Sequence, residues 1–103
     1  MNLPQSRKAS EVLVDLAVRD SDPNVRSRAA WSLISHSQLI SAETPRLIYL
    51  DQHLLVRRAA LELAYAMRDS AVLLQATNDS DRRIADLAKY LHSRLASAST
   101  APE

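Results

Sequence analysis

The sequence predicts an all-α protein assembled from three copies of a short helix pair, and two observations carry that prediction. The first is composition: the 103 residues contain no glycine and only four prolines. Sheets draw on glycine for hairpin turns and bulges that need positive φ, so a glycine-free chain points away from them. Alanine, leucine and arginine are among the commonest residues of the chain, and these favour helix. The second is internal repetition. Asp20-Ser21-Asp22 recurs as Asp79-Ser80-Asp81, with Ala17 matched by Ala76, Val25 by Ile84, Ala29 by Ala88 and Trp31 by Tyr90. An intermediate copy lies between them: Asp51 matches Asp20, Val56-Arg57 matches Val25-Arg26, and Ala60 matches Ala29. A single helix pair cannot bury its apolar side alone, so adjoining copies are expected to stack over one continuous core.

The elements follow in order from caps and apolar spacing. Helix A1 is expected over 5–19, with Val12, Leu13, Leu16 and Ala17 facing inward. Asp22 is a good N-cap, and Pro23 then occupies the first helical position, where its missing N–H costs nothing. Helix B1 therefore starts at 23 and runs to 37. Thr44-Pro45 repeats the cap-then-proline signal for a short A2 over 45–50. B2 is expected over 53–68 and A3 over 70–77. Asp81 caps B3, over 82–96. The repeats (5–37, 43–68 and 70–96) form one domain, 1–96. The small, polar tail 97–103 is expected to be disordered.

Asp-Ser-Asp-Pro-Asn-Val-Arg-Ser-Arg-Ala-Ala at 20–30 resembles the HEAT repeat and its relative in phycobilisome lyase-type HEAT proteins. The resemblance extends over about 5–96. It is strongest in the first copy, and the second keeps Asp51, Val56, Arg57 and Ala60. The third keeps Asp79, Ser80 and Asp81 but has Arg82 for Pro23 and Ala85 for Arg26. The resemblance implies a right-handed α-solenoid of three antiparallel helix pairs, and no particular activity. It also implies that the pairs Asp20–Arg26 and Asp51–Arg57 form a structural ladder tying adjacent turns by charge-assisted hydrogen bonds.

With Val25, Ala29 and Leu33 turned inward, a helical wheel places Asn24, Ser27, Arg28, Trp31 and Ser35 outward. The matching surfaces hold Leu55, Arg58, Glu62 and Ala66 in the second copy, and Arg83, Asp86, Tyr90 and Arg94 in the third. On B3, Ile84, Leu87, Ala88, Leu91 and Leu95 make the inward stripe. In HEAT-like solenoids the B helices line the concave groove, so the resemblance implies one ridge across the copies. Trp, Tyr and Arg are the residue types enriched at binding hot spots. The partner-binding candidates are therefore Arg28, Trp31, Arg58, Glu62, Arg83, Tyr90 and Arg94. The end repeats lack clearly polar outer faces, which leaves a homodimer open and gives Trp31 an alternative place against a partner or a neighbouring helix.

Thirteen basic residues against twelve acidic ones leave a net charge of +1, too little for a whole-molecule grip on nucleic acid. A local polyanion site through Arg28, Arg58, Arg82, Arg83 and Arg94 is the alternative, opposed by the interleaved Glu62 and Asp86. No cysteine is present, so disulfides, thiolate metal sites and thiol nucleophiles are excluded. His36, His53 and His92 lie in different copies, none followed by glutamate and no two at metal-binding spacing. Asp20/Asp22 and Asp79/Asp81 are read as caps and not as metal ligands. Ser35, Ser37 and Ser93 adjoin histidines but lack the glycine turn that usually builds an oxyanion hole. The absence of glycine also excludes phosphate-cradling loops. No metal or cofactor is expected. No apolar run reaches the ~18–20 residues of a membrane span, and Glu11, Asp15, Arg19 and Asp20 break up any leader-like start, so the expected location is the cytoplasm. The expected function is that of a non-catalytic adaptor binding a partner protein along the B-helix groove. A lyase-type or other enzyme subunit is the third reading.

Overall fold

Three copies of one turn set the helices. In the computed structural model, which describes the backbone of residues 3–100 and the side chains of residues 7–98, each turn begins with an aspartate. Its carboxylate accepts the amide two residues on: Asp20 from Asp22 (2.9 Å), Asp51 from His53 (2.8 Å) and Asp79 from Asp81 (2.8 Å). That second side chain then accepts the amide two further on. Asp22 takes Asn24 (2.8 Å), His53 takes Leu55 through Nδ1 (3.2 Å), and Asp81 takes Arg83 (2.9 Å). The relay satisfies amide protons that the first helical turn cannot bond internally. It launches α2 (Pro23–Ser32), α4 (Leu54–Ala66) and α6 (Arg82–Thr100). The helices before the three turns are α1 (Leu3–Arg19), α3 (Thr44–Tyr49) and α5 (Ser70–Ala76). No strand occurs among the described residues.

Each odd-numbered helix packs on the even-numbered helix that follows it, and α4 also packs on α2 and α6. The chain is a slab of 37 × 36 × 16 Å, its thin direction that of two helix layers packed at the usual ~8–10 Å. Leu33, Ile48, Val56, Leu61, Leu63, Leu73 and Ile84 fill the core. Between them Ala29, Ala30, Ala59, Ala60, Ala64, Ala76 and Ala88 are buried, and their small size lets neighbouring helices approach closely. Helix α4 buries Val56, Ala59, Ala60, Leu61, Leu63 and Ala64 and packs on α2, α3, α5 and α6, which makes it the centre of the structure.

Several expectations need correction. The helix expected over 23–37 ends at Ser32 and tightens into a 3₁₀ segment, Leu33–Leu39, with His36 off helical geometry (φ −110°, ψ 17°). Serines compete with the helical backbone: Ser35 Oγ donates to the Ser32 carbonyl (3.0 Å), and Ser10 Oγ lies 3.1 Å from His36 Nδ1. Thr44 is not a cap. It is the buried first residue of α3, and Ser41 makes the turn by accepting from the Glu43 and Thr44 amides. The caps His53 and Asp69, which starts α5 by accepting from the Val72 amide (3.2 Å), were not foreseen. Val12 is 58% exposed, because α1 buries the stripe through Ser10, Leu13 and Ala17 and turns Val12 away from it. The tail expected to be disordered from 97 is helical through Thr100, where α6 continues without a glycine or proline to break it; residues 101–103 lie outside the described residues.

The end of α4 carries a strained residue. Arg68 sits at φ 57°, the Asp69 amide donates to the Ala64 carbonyl (2.8 Å), and the Arg68 amide donates to the Tyr65 carbonyl (3.1 Å). This is the Schellman helix stop, whose left-handed position suits glycine. Arg68→Gly is expected to raise stability by about 0.5–1 kcal/mol, the strain relieved less the entropy glycine adds to the unfolded chain. A thermal melt with an unchanged or lower midpoint would count against this account of the turn.

Candidate functional site

The ladder arginines lie between the copies. Arg26 donates from Nε to Asp51 Oδ2 (2.6 Å) and from Nη2 to Asp51 Oδ1 (3.2 Å), while its Nη1 reaches the main-chain carbonyl of Asp20 (2.8 Å). Arg57 repeats this one copy on. Its Nε and Nη2 hold the Asp79 carboxylate (3.1 and 3.3 Å), and its Nη1 holds the carbonyls of Asp51 and Gln52 (3.3 and 2.7 Å). The expected pairs Asp20–Arg26 and Asp51–Arg57 are thus corrected: the same-copy aspartate contributes its carbonyl, and the next copy contributes the carboxylate. Tyr49 completes the second rung by donating to Asp79 Oδ2 (2.6 Å).

Burial by itself pushes the Asp79 carboxyl up. The hydrogen bond from Tyr49, the Asp81 amide and the Arg57 guanidinium outweigh that and hold it below the ordinary value. Asp51 is likewise held low, Arg26 and the His53 amide overcoming its burial. Burial and the bond to Asp79 both raise the Tyr49 phenol, so it stays protonated. These groups are consumed in holding the copies together.

The outward face of α2, α4 and α6 holds most of the candidate binding residues. Trp31 is 41% exposed and Tyr90 56% exposed. They occupy matching positions on α2 and α6, with half-buried Glu62 at the matching position on α4 between them. Arg94 donates to the Tyr90 hydroxyl (2.9 Å) and lies 5.7 Å from the Tyr90 ring centroid, a cation–π contact. The same guanidinium feels Tyr65 of α4. Arg83 is turned onto its own cap, Asp81 (3.0 Å). Arg58 is exposed and makes no ion pair among the described residues.

Between α4 and α6 this face opens into a cleft of about 370 Å³ lined by Leu54, Leu55, Arg58, Arg83, Ile84 and Leu87. The structure therefore brings Arg58 to Arg83, and sets Trp31, Glu62 and Tyr90–Arg94 in a common row. It does not bring Arg28 to them. Arg28 matches Ala59 and Leu87, and Leu87 faces the preceding helix across the cleft, so Arg28 lies on the side of α2 away from α4. Ser27, expected outward, is 9% exposed and turned toward α4, with Oγ 3.5 Å from the Leu55 carbonyl. Tyr65 and the cleft-lining Leu54 and Leu87 escaped the wheel. Leu87 could have been found: it belongs to a stripe on α6 too wide for one interface.

The odd-numbered side is not bare of apolar surface. Val12, Leu47, Leu50 and Leu74 are exposed there, and Leu47 and Leu50 line a cleft of about 270 Å³ with Ala17, Val18, Ile48 and Asp51, without a large exposed ring. Of the histidines, His36 meets Ser10, His53 caps α4, and half-buried His92 lies apart beside Arg68. Among the described residues no three of His, Cys, Asp or Glu are grouped to hold a metal ion, and no helix is long and apolar enough to cross a membrane. No protein-family model, curated protein sequence or solved structure matches the chain.

Proposed function

We propose that this chain is a short HEAT-type solenoid acting as a non-catalytic adaptor, binding a segment of a partner protein across the outward face of α2, α4 and α6. The observation that carries the reading is the placement of Trp31 and Tyr90. Both are large rings left exposed at matching positions on flanking helices, with Arg94 braced against the second. Burying rings and guanidinium groups of this kind is what drives association at hot spots. The rungs Arg26–Asp51 and Arg57–Asp79 support the solenoid reading, because each ties one helix pair to the next by the same bond. The odd-numbered side exposes aliphatic and charged residues but no large ring, which makes it the weaker candidate.

The test compares what wild-type chain and the double variant Trp31→Ala, Tyr90→Ala retain, followed by titration with the purified partner. The double variant is expected to keep its helical circular dichroism and melting temperature and to lose at least ~2 kcal/mol of binding. A Leu47→Ser, Leu50→Ser variant is expected to bind normally. Loss in the second variant alone would move the site to the odd-numbered helices. Oligonucleotide binding that weakens roughly tenfold or more between low and physiological salt would replace the adaptor reading with a nucleic-acid one.

A further inference from the structure

The chemistry of the α4–α6 cleft narrows what the partner must present. Of the six residues lining it, four are aliphatic and two are arginines, and none is acidic. Ile84 is buried beneath the opening, while Leu55 stands 42% exposed at the rim. Among the described residues Arg58 has no carboxylate partner, and Arg83 bonds Asp81 through Nε and Nη2, which leaves further N–H donors to spend. Asp86 leans toward Arg82 (3.8 Å), and Glu62 does not line the cleft. The site therefore sets Arg58, which has no ion pair among the described residues, beside an apolar seat, with the Asp81-bound Arg83 keeping donors to spare across from it.

We infer that this cleft seats a partner segment bearing a carboxylate next to an aliphatic side chain, the carboxylate between Arg58 and Arg83 and the aliphatic group against Leu54, Leu55 and Leu87. The inference rests on the adaptor reading and makes it specific. A carboxylate matches the guanidinium fork of Arg58 and supplies the countercharge that this arginine lacks among the described residues. Nucleic acid fits less well. The cleft has no aromatic platform for a base, and a chain of net charge +1 supplies little long-range pull on a polyanion. The volume is near the lower end of the ~300–1,000 Å³ usual for ligand clefts, which suits a few side chains of an extended or helical segment.

The test is selection of linear peptides from a random display library on the purified full chain. Enriched peptides are expected to pair Asp or Glu with Leu, Ile, Val or Met. A synthetic peptide of the leading sequence should lose about tenfold or more in affinity for Arg58→Glu, with the melting temperature unchanged because Arg58 is exposed and unpaired. Leu55→Glu, which places a carboxylate on the rim, should lose as much. Replacing the peptide's acidic residue by Lys should weaken wild-type binding and restore binding to Arg58→Glu. Peptides that ignore Arg58→Glu and Leu55→Glu but fail on Trp31→Ala, Tyr90→Ala would overturn the cleft assignment and leave the adaptor reading standing. Peptides indifferent to all four substitutions, or no enrichment at all, would count against both. A fluorescent oligonucleotide that displaces the peptide and depends on Arg58 would overturn the carboxylate in favour of phosphate.

Discussion

Arg57→Ala is expected to lower the free energy of unfolding by about 2–4 kcal/mol, the range for removing one partner of a largely buried, hydrogen-bonded pair. Four hydrogen bonds disappear together, two to the Asp79 carboxylate and two to the carbonyls of Asp51 and Gln52. The Asp79 side chain, only 5% exposed, keeps Tyr49 and the Asp81 amide but loses its countercharge. The pH dependence has a definite sign. The folded Asp79 carboxyl lies below its ordinary value, so the unfolded chain takes up the proton first as pH falls. The stabilisation is present in full above about pH 4, the ordinary carboxyl value, and disappears as pH drops through the lower folded value. Urea denaturation should accordingly show the full gap between wild type and Arg57→Ala at neutral pH and a much smaller gap in acid. Were the variant to unfold like wild type at neutral pH and lose only its partner, the arginine would be a binding residue instead.

Leu63→Ala should cost about 2–5 kcal/mol, from lost apolar transfer and the cavity left behind. The side chain is fully buried on α4, the helix that packs on α2, α3, α5 and α6, so no single neighbour can close the gap by shifting. Set against a total of roughly 5–15 kcal/mol, that loss would leave a measurable unfolded fraction at physiological temperature. Leu74→Ala is the contrast. Its side chain is 57% exposed on α5, and truncation there should stay within about 0.5 kcal/mol of wild type. Equilibrium denaturation of both variants checks the pair of values, and a Leu63→Ala cost below about 1 kcal/mol would show that α4 is not the centre of the core.

Much of the fold was legible because its signals are local. Asp22-Pro23 and Asp81 announce helix starts through bonds that span two residues, and the alanine and leucine spacing of the even-numbered helices names their buried sides. The ladder was legible only in part. Asp20 and Arg26 sit near each other in sequence, yet the guanidinium takes the Asp20 carbonyl and spends its fork on Asp51. That choice is set by how neighbouring copies abut, which periodicity does not encode. The outward face divides the same way. Trp31 and Tyr90 follow from the wheel alone, whereas the cleft depends on Leu87 being left half-covered by α4, and Arg28 is separated from Arg58 by a single step around the helix.

The ladder also has a polarity. Every rung runs from a donor in one copy to an acceptor in the following one, so the two edges of the array are chemically unlike. The leading edge carries the Asp20 carboxylate, which makes no ion pair among the described residues, and the position that would donate from the third copy is Ala85, a methyl group. Two such molecules brought edge to edge, Ala85 against Asp20, would find an acceptor with no donor. A repeating contact that joins unlike edges is the kind that grows into open filaments. The bond that ties one helix pair to the next therefore cannot form between Ala85 and an Asp20 carboxylate, because a methyl group has no polar hydrogen to donate.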